Sequence, residues 1–211
     1  MSNHSTRLRG LYAITDTTLV PDEHFNERVA AALRGGARIV QYRDKRNSPA
    51  LRLKLATDLV YLCREHGALC IINDDINLAA EVGADGVHIG REDVTLEAAR
   101  ARLGQESIIG VSCYNRLDLA QEAEKRGADY VAFGAFFPSH TKPDAALASL
   151  DVLQKARQSL RVPICAIGGI TPENAVSLRA AGADMLAVIS ALFAKKDIEA
   201  AAQRFLPLFP T

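Results

Sequence analysis

Short apolar runs alternate with longer amphipathic segments along the whole 211-residue chain. Runs of this length are typical of strands buried on both faces of a sheet. The predicted strands are 11–15, 39–43, 69–73, 86–90, 108–112, 130–134, 164–168 and 185–190. Apolar residues at helical spacing between them predict helices at 23–35, 49–66, 75–82, 95–103, 116–127, 147–159, 173–181 and 197–206.

This alternation predicts a parallel sheet, because parallel neighbours need a crossover connection between them. Eight strand–helix units in 211 residues fit a minimal (β/α)8 TIM barrel, an α/β fold with eight parallel strands. A doubly wound open sheet is the alternative. No linker or low-complexity tract interrupts the chain, so we predict a single domain over 1–211, with 1–10 as a short N-terminal extension.

A Gly-Ala pair precedes every second predicted strand. The strings are RGGARIV, VGADGVHIG, RGADYVAFG and AGADMLAVIS, with glycines at 36, 83, 127 and 182. Each glycine suits the left-handed residue that ends a helix. A repeat with a period of two strand–helix units indicates a barrel built from quarter-turns. A general preference of such turns for Gly-Ala would explain the residues but not their even-strand spacing.

Charge and composition exclude several classes of protein. Lys and Arg number 25 and so do Asp and Glu, so no net field recruits nucleic acid or an anionic membrane. No apolar run approaches the roughly 20 residues of a membrane span, and MSNHSTRLRG lacks the apolar core of a signal peptide. We expect a cytoplasmic protein that binds neither nucleic acid nor membrane, with its oligomeric state open.

The four cysteines lack C-x-x-C spacing, so a zinc site is not expected. Two of the four lie inside predicted strands and a third directly follows one, and cysteine is among the most buried residue types. They are Cys63, Cys70, Cys113 and Cys165. We predict that they are packed, reduced thiols.

Polar residues gather at the C-terminal ends of the predicted strands, where active sites form in this fold. At or just past the end of each strand they are Gln41, Arg43 and Lys45 for the second; Asn73, Asp74 and Asp75 for the third; Asp93 for the fourth; Ser112 for the fifth; Ser139, His140, Thr141 and Lys142 for the sixth; Gly168, Gly169 and Thr171 for the seventh; and Ile189 and Ser190 for the eighth. The loop 134–148 is long, and loops of that length in compact folds tend to be functional.

These residue types suit a phosphorylated ligand. Gln41, Arg43 and Lys45 share one parity, as expected of a strand that emerges into the barrel mouth. With Lys142 and nearby hydroxyls, the two cations suit a di- or polyphosphate. Asp74 and Asp93 supply the hard oxygen ligands that magnesium takes beside substrate phosphates.

A second anion site is predicted after the last two strands. Gly168 and Gly169 let backbone amides approach a ligand closely. Thr171 is a candidate N-cap with Pro172 at the first helical position, and Ser190 is a candidate start of another short helix. Helix N-termini bind phosphate, and barrels often carry a phosphate site at this place.

Several of these residues have an alternative interpretation. Asp74 or Asp75 could cap the helix that begins there, and Asp93 could be a helix-start residue. The segment 142–144 could be a solvated turn. His88, inside the fourth strand, could be a satisfied core histidine rather than a catalyst. The coincidence of the polar residues at one rim favours a functional site.

The motifs QYRDK, NDD, HIGRED, GVS, SHTK, GIT and IS, in this order between 11 and 193, resemble those of the thiamine-phosphate synthase (thiamine-phosphate pyrophosphorylase) family. The resemblance implies a (β/α)8 transferase of thiamine biosynthesis with one Mg²⁺ per subunit. Its substrates would be hydroxymethylpyrimidine diphosphate and hydroxyethylthiazole phosphate. In that family the carbon–oxygen bond to diphosphate breaks first, and the thiazole nitrogen attacks the resulting pyrimidine-stabilised cation.

The resemblance also implies roles for individual residues. The pyrimidine diphosphate would be bound by Gln41, Tyr42, Arg43, Asp44, Lys45, Asn73, Ser112 and Lys142. The thiazole phosphate would be bound by Ser139, Thr141, Gly169, Ile189 and Ser190, and Mg²⁺ by Asp74 and Asp93. Arg43, Lys45, Lys142 and Ser112 would be catalytic. The chain departs from the family at Arg91, where glutamine is common, and at Ser139, where threonine is common.

Three rival functions fit parts of the same sequence. A thiazole tautomerase of the same fold does not need the magnesium and diphosphate residues. A Schiff-base aldolase or isomerase would use Lys45 or Lys142 as its nucleophile. A protein that only binds thiamine precursors has no reason to keep both carboxylates beside the cations.

Overall fold

The computed structural model describes residues 6–90, 93–138 and 147–210. In these residues eight parallel strands pair in chain order, and the last pairs with the first to close a barrel. They are β1 (Gly10–Ile14), β2 (Ala37–Tyr42), β3 (Leu69–Asn73), β4 (Gly86–Ile89), β5 (Ile108–Tyr114), β6 (Tyr130–Gly134), β7 (Ile164–Ile167) and β8 (Met185–Val188). The predicted (β/α)8 TIM barrel is confirmed, and the open-sheet alternative is wrong.

Helices surround the barrel close to the predicted positions. They are α1 (Phe25–Arg34), α2 (Pro49–Glu65), α3 (Ile76–Val82), α4 (Leu96–Leu103), α5 (Leu117–Lys125), α6 (Leu150–Ser159), α7 (Pro172–Ala180), α8 (Ser190–Phe193) and α9 (Ile198–Gln203). Short 3-10 helices lie at Asp22–His24 and Leu206–Leu208. The helix expected at 197–206 begins one residue later, because Asp197 is its N-cap and accepts a hydrogen bond from the Ala200 amide, and it ends at Gln203, ahead of the second 3-10 helix. None of the described helices is long and apolar enough to cross a membrane.

Alternation along the strands divides the core into two layers. Ile39 and its inward-facing equivalents on other strands fill the barrel interior, while Val40 and Tyr42 pack between the barrel and the helices. Gln41 has the parity of Ile39 and is only 3% exposed. All four cysteines are free and buried, as predicted.

The Gly-Ala-Asp repeat joins each even strand from β4 onward to the odd strand before it. In each copy an aspartate carboxylate accepts a hydrogen bond from the start of the preceding strand, and the aspartate amide donates to the carbonyl of the same residue. The aspartates are Asp85, Asp129 and Asp184, and the amide donors are Cys70, Ile109 and Ile164, at 2.8, 2.9 and 2.9 Å. The repeat is therefore a structural joint, and the first copy carries Arg38 instead of aspartate.

We predict that Asp129→Ala destabilises the fold by about 3 kcal/mol, because it removes one partner of a buried ion pair and strands a buried amide. Asp129 also lies 2.7 Å from the Arg100 guanidinium, and its side chain is 8% exposed. Urea denaturation would measure the loss.

The matched control is Asp151→Ala. Asp151 pairs with Lys155 at 2.7 Å but its side chain is 63% exposed, so the change should be below about 0.5 kcal/mol. Equal losses in the two variants would contradict the assigned role of Asp129.

Candidate active site

A cavity of about 910 Å³ opens at the C-terminal ends of the strands. The predicted site residues that line it are Gln41, Arg43, Asn73, Ser112, Gly168, Gly169, Thr171, Ile189 and Ser190, whereas Lys45, Asp74 and Asp93 are not part of its lining. The lining residues come from both halves of the chain, and the closed barrel brings them to one rim. The cavity therefore lies where the fold places active sites.

The end of β2 is held against β1 by hydrogen bonds that continue past the strand. The Thr15 amide donates to the Gln41 carbonyl at 2.9 Å, and the Arg43 amide donates to Thr15 Oγ1 at 3.0 Å. These contacts extend the alternation of β2 by one residue. Gln41 and Arg43 consequently both line the cavity, as their shared parity predicts.

Lys45, Asp74 and Asp93 form a charged group. The Lys45 ammonium lies 3.2 Å from Asp74 Oδ2, and the carboxyl groups of Asp74 and Asp93 are within hydrogen-bonding reach of each other. Burial and the bond with Asp93 raise the pKa of Asp74, and Lys45 acts in the opposite direction. Two adjacent carboxylates and one lysine give this group a net negative formal charge, which suits a bound cation.

The two aspartates after β3 have different roles. Asp75 is the N-cap of α3 and accepts a hydrogen bond from the Leu78 amide at 2.9 Å. Asp74 adopts a left-handed conformation, with φ 64°, and its carboxylate turns toward Lys45 instead. The capping interpretation is therefore right for Asp75 and wrong for Asp74. At α4 the cap is Thr95, not Asp93.

Tyr42 and Asp44 point away from the cavity. The Tyr42 ring packs edge-to-face on Phe25, with centroids 5.8 Å apart, and its hydroxyl donates to Asp44 Oδ2 at 2.8 Å. Asp44 Oδ1 accepts the amides of Arg46 and Asn47. Their even parity places them outside the barrel, so the expected substrate contact does not fit these two side chains. They support the turn that carries Lys45.

The turn after β7 brings backbone amides close to the cavity. Gly168 and Gly169 have φ values of 103° and 62°, and a Cβ on Gly169 would lie 2.5 Å from the Pro138 carbonyl oxygen. Thr171 then forms a capping box with Asn174 at the start of α7. Thr171 and Ser190 both line the cavity. Helix starts of this kind suit an anion.

Predicted residues in two segments lie outside the described residues. They are Arg91, Ser139, His140, Thr141 and Lys142. Their roles remain predictions.

A chain of hydrogen bonds crosses the floor of the cavity, and the sequence did not reveal its two tyrosines. Gln41 Nε2 donates to Tyr12 Oη at 2.8 Å, and Tyr12 Oη lies 2.9 Å from Tyr130 Oη. Tyr130 Oη lies 2.9 Å from His88 Nδ1, and His88 Nε2 lies 2.8 Å from Ser112 Oγ. Inward parity of a tyrosine in a narrow barrel is the signal that could have found them, because a buried hydroxyl needs a partner.

Burial keeps the titratable groups of this region neutral. It lowers the pKa of His88 to about 4 and raises the pKa values of Tyr12 and Tyr130. It also raises the pKa of the Cys113 thiol to about 12. His88 is thus a satisfied histidine, as the alternative interpretation held, and it also lines the cavity.

A closed parallel barrel with a large cavity at the C-terminal rim of its strands is the architecture of (β/α)8-barrel enzymes. A family model described as thiamine monophosphate synthase matches residues 11–192. The chain belongs to that family. The predicted family and the predicted enzyme class are confirmed.

Individual members of the family are similar to this chain over nearly its whole length. The thiamine-phosphate synthase of Thioalkalivibrio sulfidiphilus is 52% identical over 209 residues, covering 99% of each chain. That of Alcanivorax borkumensis is 53% identical over 208 residues, covering 97% of this chain and 96% of its own. Among solved structures, thiamine phosphate pyrophosphorylase from Pyrococcus furiosus superposes with a TM-score of 0.88 at 38% identity, covering 98% and 97%.

We predict that His88 makes stability depend on pH. Its pKa is about 4 when folded and about 6.5 when unfolded, so the unfolded chain binds more protons between these values. The His88 contribution is complete above pH 6.5 and falls as pH drops toward 4. We expect a loss of about 2 kcal/mol over this window, because the ring borders an open cavity that tempers the full shift.

Urea denaturation at pH 7, 5 and 4 would measure this dependence. His88→Gln should flatten the curve within that variant, whatever its stability at pH 7. His66→Gln, at an exposed histidine, should keep the wild-type slope. A wild-type slope in His88→Gln would contradict the prediction.

Proposed function

We propose that this protein condenses 4-amino-2-methyl-5-hydroxymethylpyrimidine diphosphate with 4-methyl-5-(2-hydroxyethyl)thiazole phosphate, giving thiamine phosphate and diphosphate. The observation that supports this proposal most directly is the arrangement of residues around the C-terminal rim of the barrel. Cations and carboxylates lie after β2 to β4, and the amide-rich turns lie after β7 and β8. Two anionic substrates could therefore bind side by side, which suits a condensation.

The diphosphate would bind on the β2 to β4 side. Arg43 lines the cavity, and Lys45 lies beside Asp74. Arginine and lysine there would neutralise charge on the diphosphate as its bond to carbon breaks. Lys142 is expected to add a third cation. A dissociative reaction needs no side-chain nucleophile, which agrees with the neutral His88 and Cys113.

Asp74 and Asp93 fit a magnesium ion. Within the described ranges no group of three or more His, Cys, Asp or Glu could hold a metal by itself. Magnesium, however, is often bound by one or two carboxylates together with substrate phosphates. Burial and the neighbouring Asp93 raise the pKa of Asp74, and a cation bound between the two carboxylates would offset both effects. We assign one Mg²⁺ per subunit, which when bound would offset negative charge on the diphosphate.

The thiazole phosphate would bind on the opposite side. Gly169, Ile189 and Ser190 line the cavity there, and the start of α7 adds a helix dipole. Ser139 and Thr141 are expected to complete this subsite. Anchoring the phosphate would orient the thiazole nitrogen toward the pyrimidine carbon, and positioning of this kind supplies much of a rate enhancement.

The Schiff-base alternative fits the described residues less well. The Lys45 ammonium lies 3.2 Å from Asp74, and its side chain is 61% exposed. A nucleophilic lysine is usually desolvated in an apolar pocket or placed beside another cation. Borohydride trapping with a carbonyl substrate should therefore give no adduct.

We also propose that the protein acts on these small molecules in the cytoplasm.

The direct test is turnover by the purified protein. It would be mixed with both precursors and Mg²⁺, and the release of diphosphate and thiamine phosphate would be followed. Absence of both products from folded protein would refute the proposal.

We predict that Arg43→Ala lowers kcat/KM roughly 100- to 1,000-fold, because the leaving diphosphate loses a preorganised charge. Steady-state kinetics would measure the loss, with thermal melting as a check on folding. Arg38→Ala is the matched control, since Arg38 is exposed on the same strand at the opposite end of the barrel. A near-wild-type rate in folded Arg43→Ala would remove Arg43 from the site.

We predict that Asp93→Ala raises the Mg²⁺ concentration that gives half-maximal rate by more than about tenfold. Loss of a residue that only supports a metal ligand already weakens metal binding by about tenfold or more, and loss of a ligand should cost at least as much. Calorimetric titration of Mg²⁺ in the presence of diphosphate gives a second readout without turnover. Asp151→Ala, an exposed carboxylate on α6, should behave like wild type. Unchanged Mg²⁺ binding in Asp93→Ala would be evidence against this ligand.

A further inference from the structure

The hydrogen-bond chain beneath the cavity joins five strands and has two ends in the cavity. Its members are Gln41, Tyr12, Tyr130, His88 and Ser112. Tyr12 is 1% exposed, Tyr130 is 0% exposed and Gln41 is 3% exposed. Each tyrosine hydroxyl therefore has to place its proton within the chain, because a buried donor without a partner is costly.

The orientation of the Gln41 amide sets one donor-to-acceptor direction along this hydrogen-bond chain. Gln41 Nε2 can only donate, so Tyr12 Oη accepts from it. The Tyr12 proton then goes to Tyr130 Oη, and the Tyr130 proton goes to His88 Nδ1. A neutral histidine that accepts at Nδ1 carries its proton on Nε2. His88 therefore donates to Ser112 Oγ.

This direction sets what each end offers to a ligand. Ser112 already accepts from His88, so its own proton is free to donate into the cavity. Gln41 uses its amide nitrogen on Tyr12, so its Oε1 is the free acceptor. A hydrogen-bond chain of the opposite direction would need the Gln41 side-chain amide flipped, so that Oε1 and Nε2 exchange places. It would then offer a donor at Gln41 and an acceptor at Ser112.

We infer that Tyr12, Tyr130 and His88 are positioning residues that make the cavity floor select a 4-aminopyrimidine over a 4-oxopyrimidine. A 4-aminopyrimidine offers an amino donor, which Gln41 Oε1 can accept, and an unprotonated ring nitrogen, which Ser112 can donate to. A 4-oxopyrimidine places an oxygen acceptor against Gln41 Oε1, which is a repulsive contact, and its ring N–H cannot accept the Ser112 proton, so that hydrogen bond is lost. Sites that hydrogen-bond a substrate group reject the mismatched analogue strongly.

The identity of the ligand rests on the proposed function, whereas the direction of the chain does not. The first test is therefore made on the protein without ligand. Histidine labelled with ¹⁵N, observed by NMR at pH 7 and assigned with His88→Gln, should show His88 as the Nε2–H tautomer. The Nδ1–H tautomer would mean a reversed chain and would overturn the inference.

The second test measures selection by binding. Calorimetry would compare the monophosphates of 4-amino- and 4-oxo-2-methyl-5-hydroxymethylpyrimidine. Wild type should prefer the amino compound by at least about 100-fold. Tyr130→Phe, which removes the donor to His88 Nδ1, should reduce this preference about tenfold, the value of one hydrogen bond.

Two further variants make the outcome decisive. Tyr61→Phe removes an exposed hydroxyl on α2 and should keep the full preference. Tyr12→Phe interrupts the chain one link earlier and replaces Tyr130→Phe if that variant does not fold. An unchanged preference in the folded variants, or none in wild type, would overturn the inference. Retained preference without thiamine phosphate formation would count against the proposed function alone.

Discussion

Closure of eight parallel strands into a barrel is the constraint on which the rest of the structure depends. It forces alternate residues of each strand inward and brings every C-terminal strand end to one rim. In β2, Ile39 fills the interior while Gln41, two residues later, already borders the cavity. Arg43 follows with the same parity. The strand thus changes from core to site without any change of geometry, and only the residue type changes.

The same closure makes polar residues inside the barrel depend on one another. A hydroxyl in the interior cannot reach bulk water, so its partner must be another inward-facing side chain. Tyr12 and Tyr130 satisfy each other across the barrel although 118 positions separate them. His88 and Ser112 continue the chain to the cavity. Under the proposed recognition, one network would both satisfy the core hydroxyls and contact the ligand, so His88 would be a satisfied histidine with a part in the site.

The strands and the rim residues could be predicted because they depend on local alternation. The Gly-Ala-Asp repeat could be seen but not explained, since its aspartates bind the amides of strands that begin about 15 to 20 residues away. The different roles of Asp74 and Asp75 could not be predicted, because they depend on a backbone angle. The left-handed φ of Asp74 turns its carboxylate toward Lys45, while Asp75 caps α3. Tyr12 and Tyr130 were missed because hydroxyl partners depend on which strands face each other across the closed barrel.

The distribution of charge around the rim explains why no activated nucleophile is needed. Burial holds His88 neutral and keeps Cys113 protonated, so these groups do not compete for an electrophilic carbon. In the proposed reaction, charge neutralisation would come from the turns after β2 to β4, and phosphate anchoring would come from the turns after β7 and β8. Because these groups stand on the ends of strands fixed by barrel pairing, little reorganisation is needed when charge develops. A cation formed between them would meet only a positioned partner and a neutral floor.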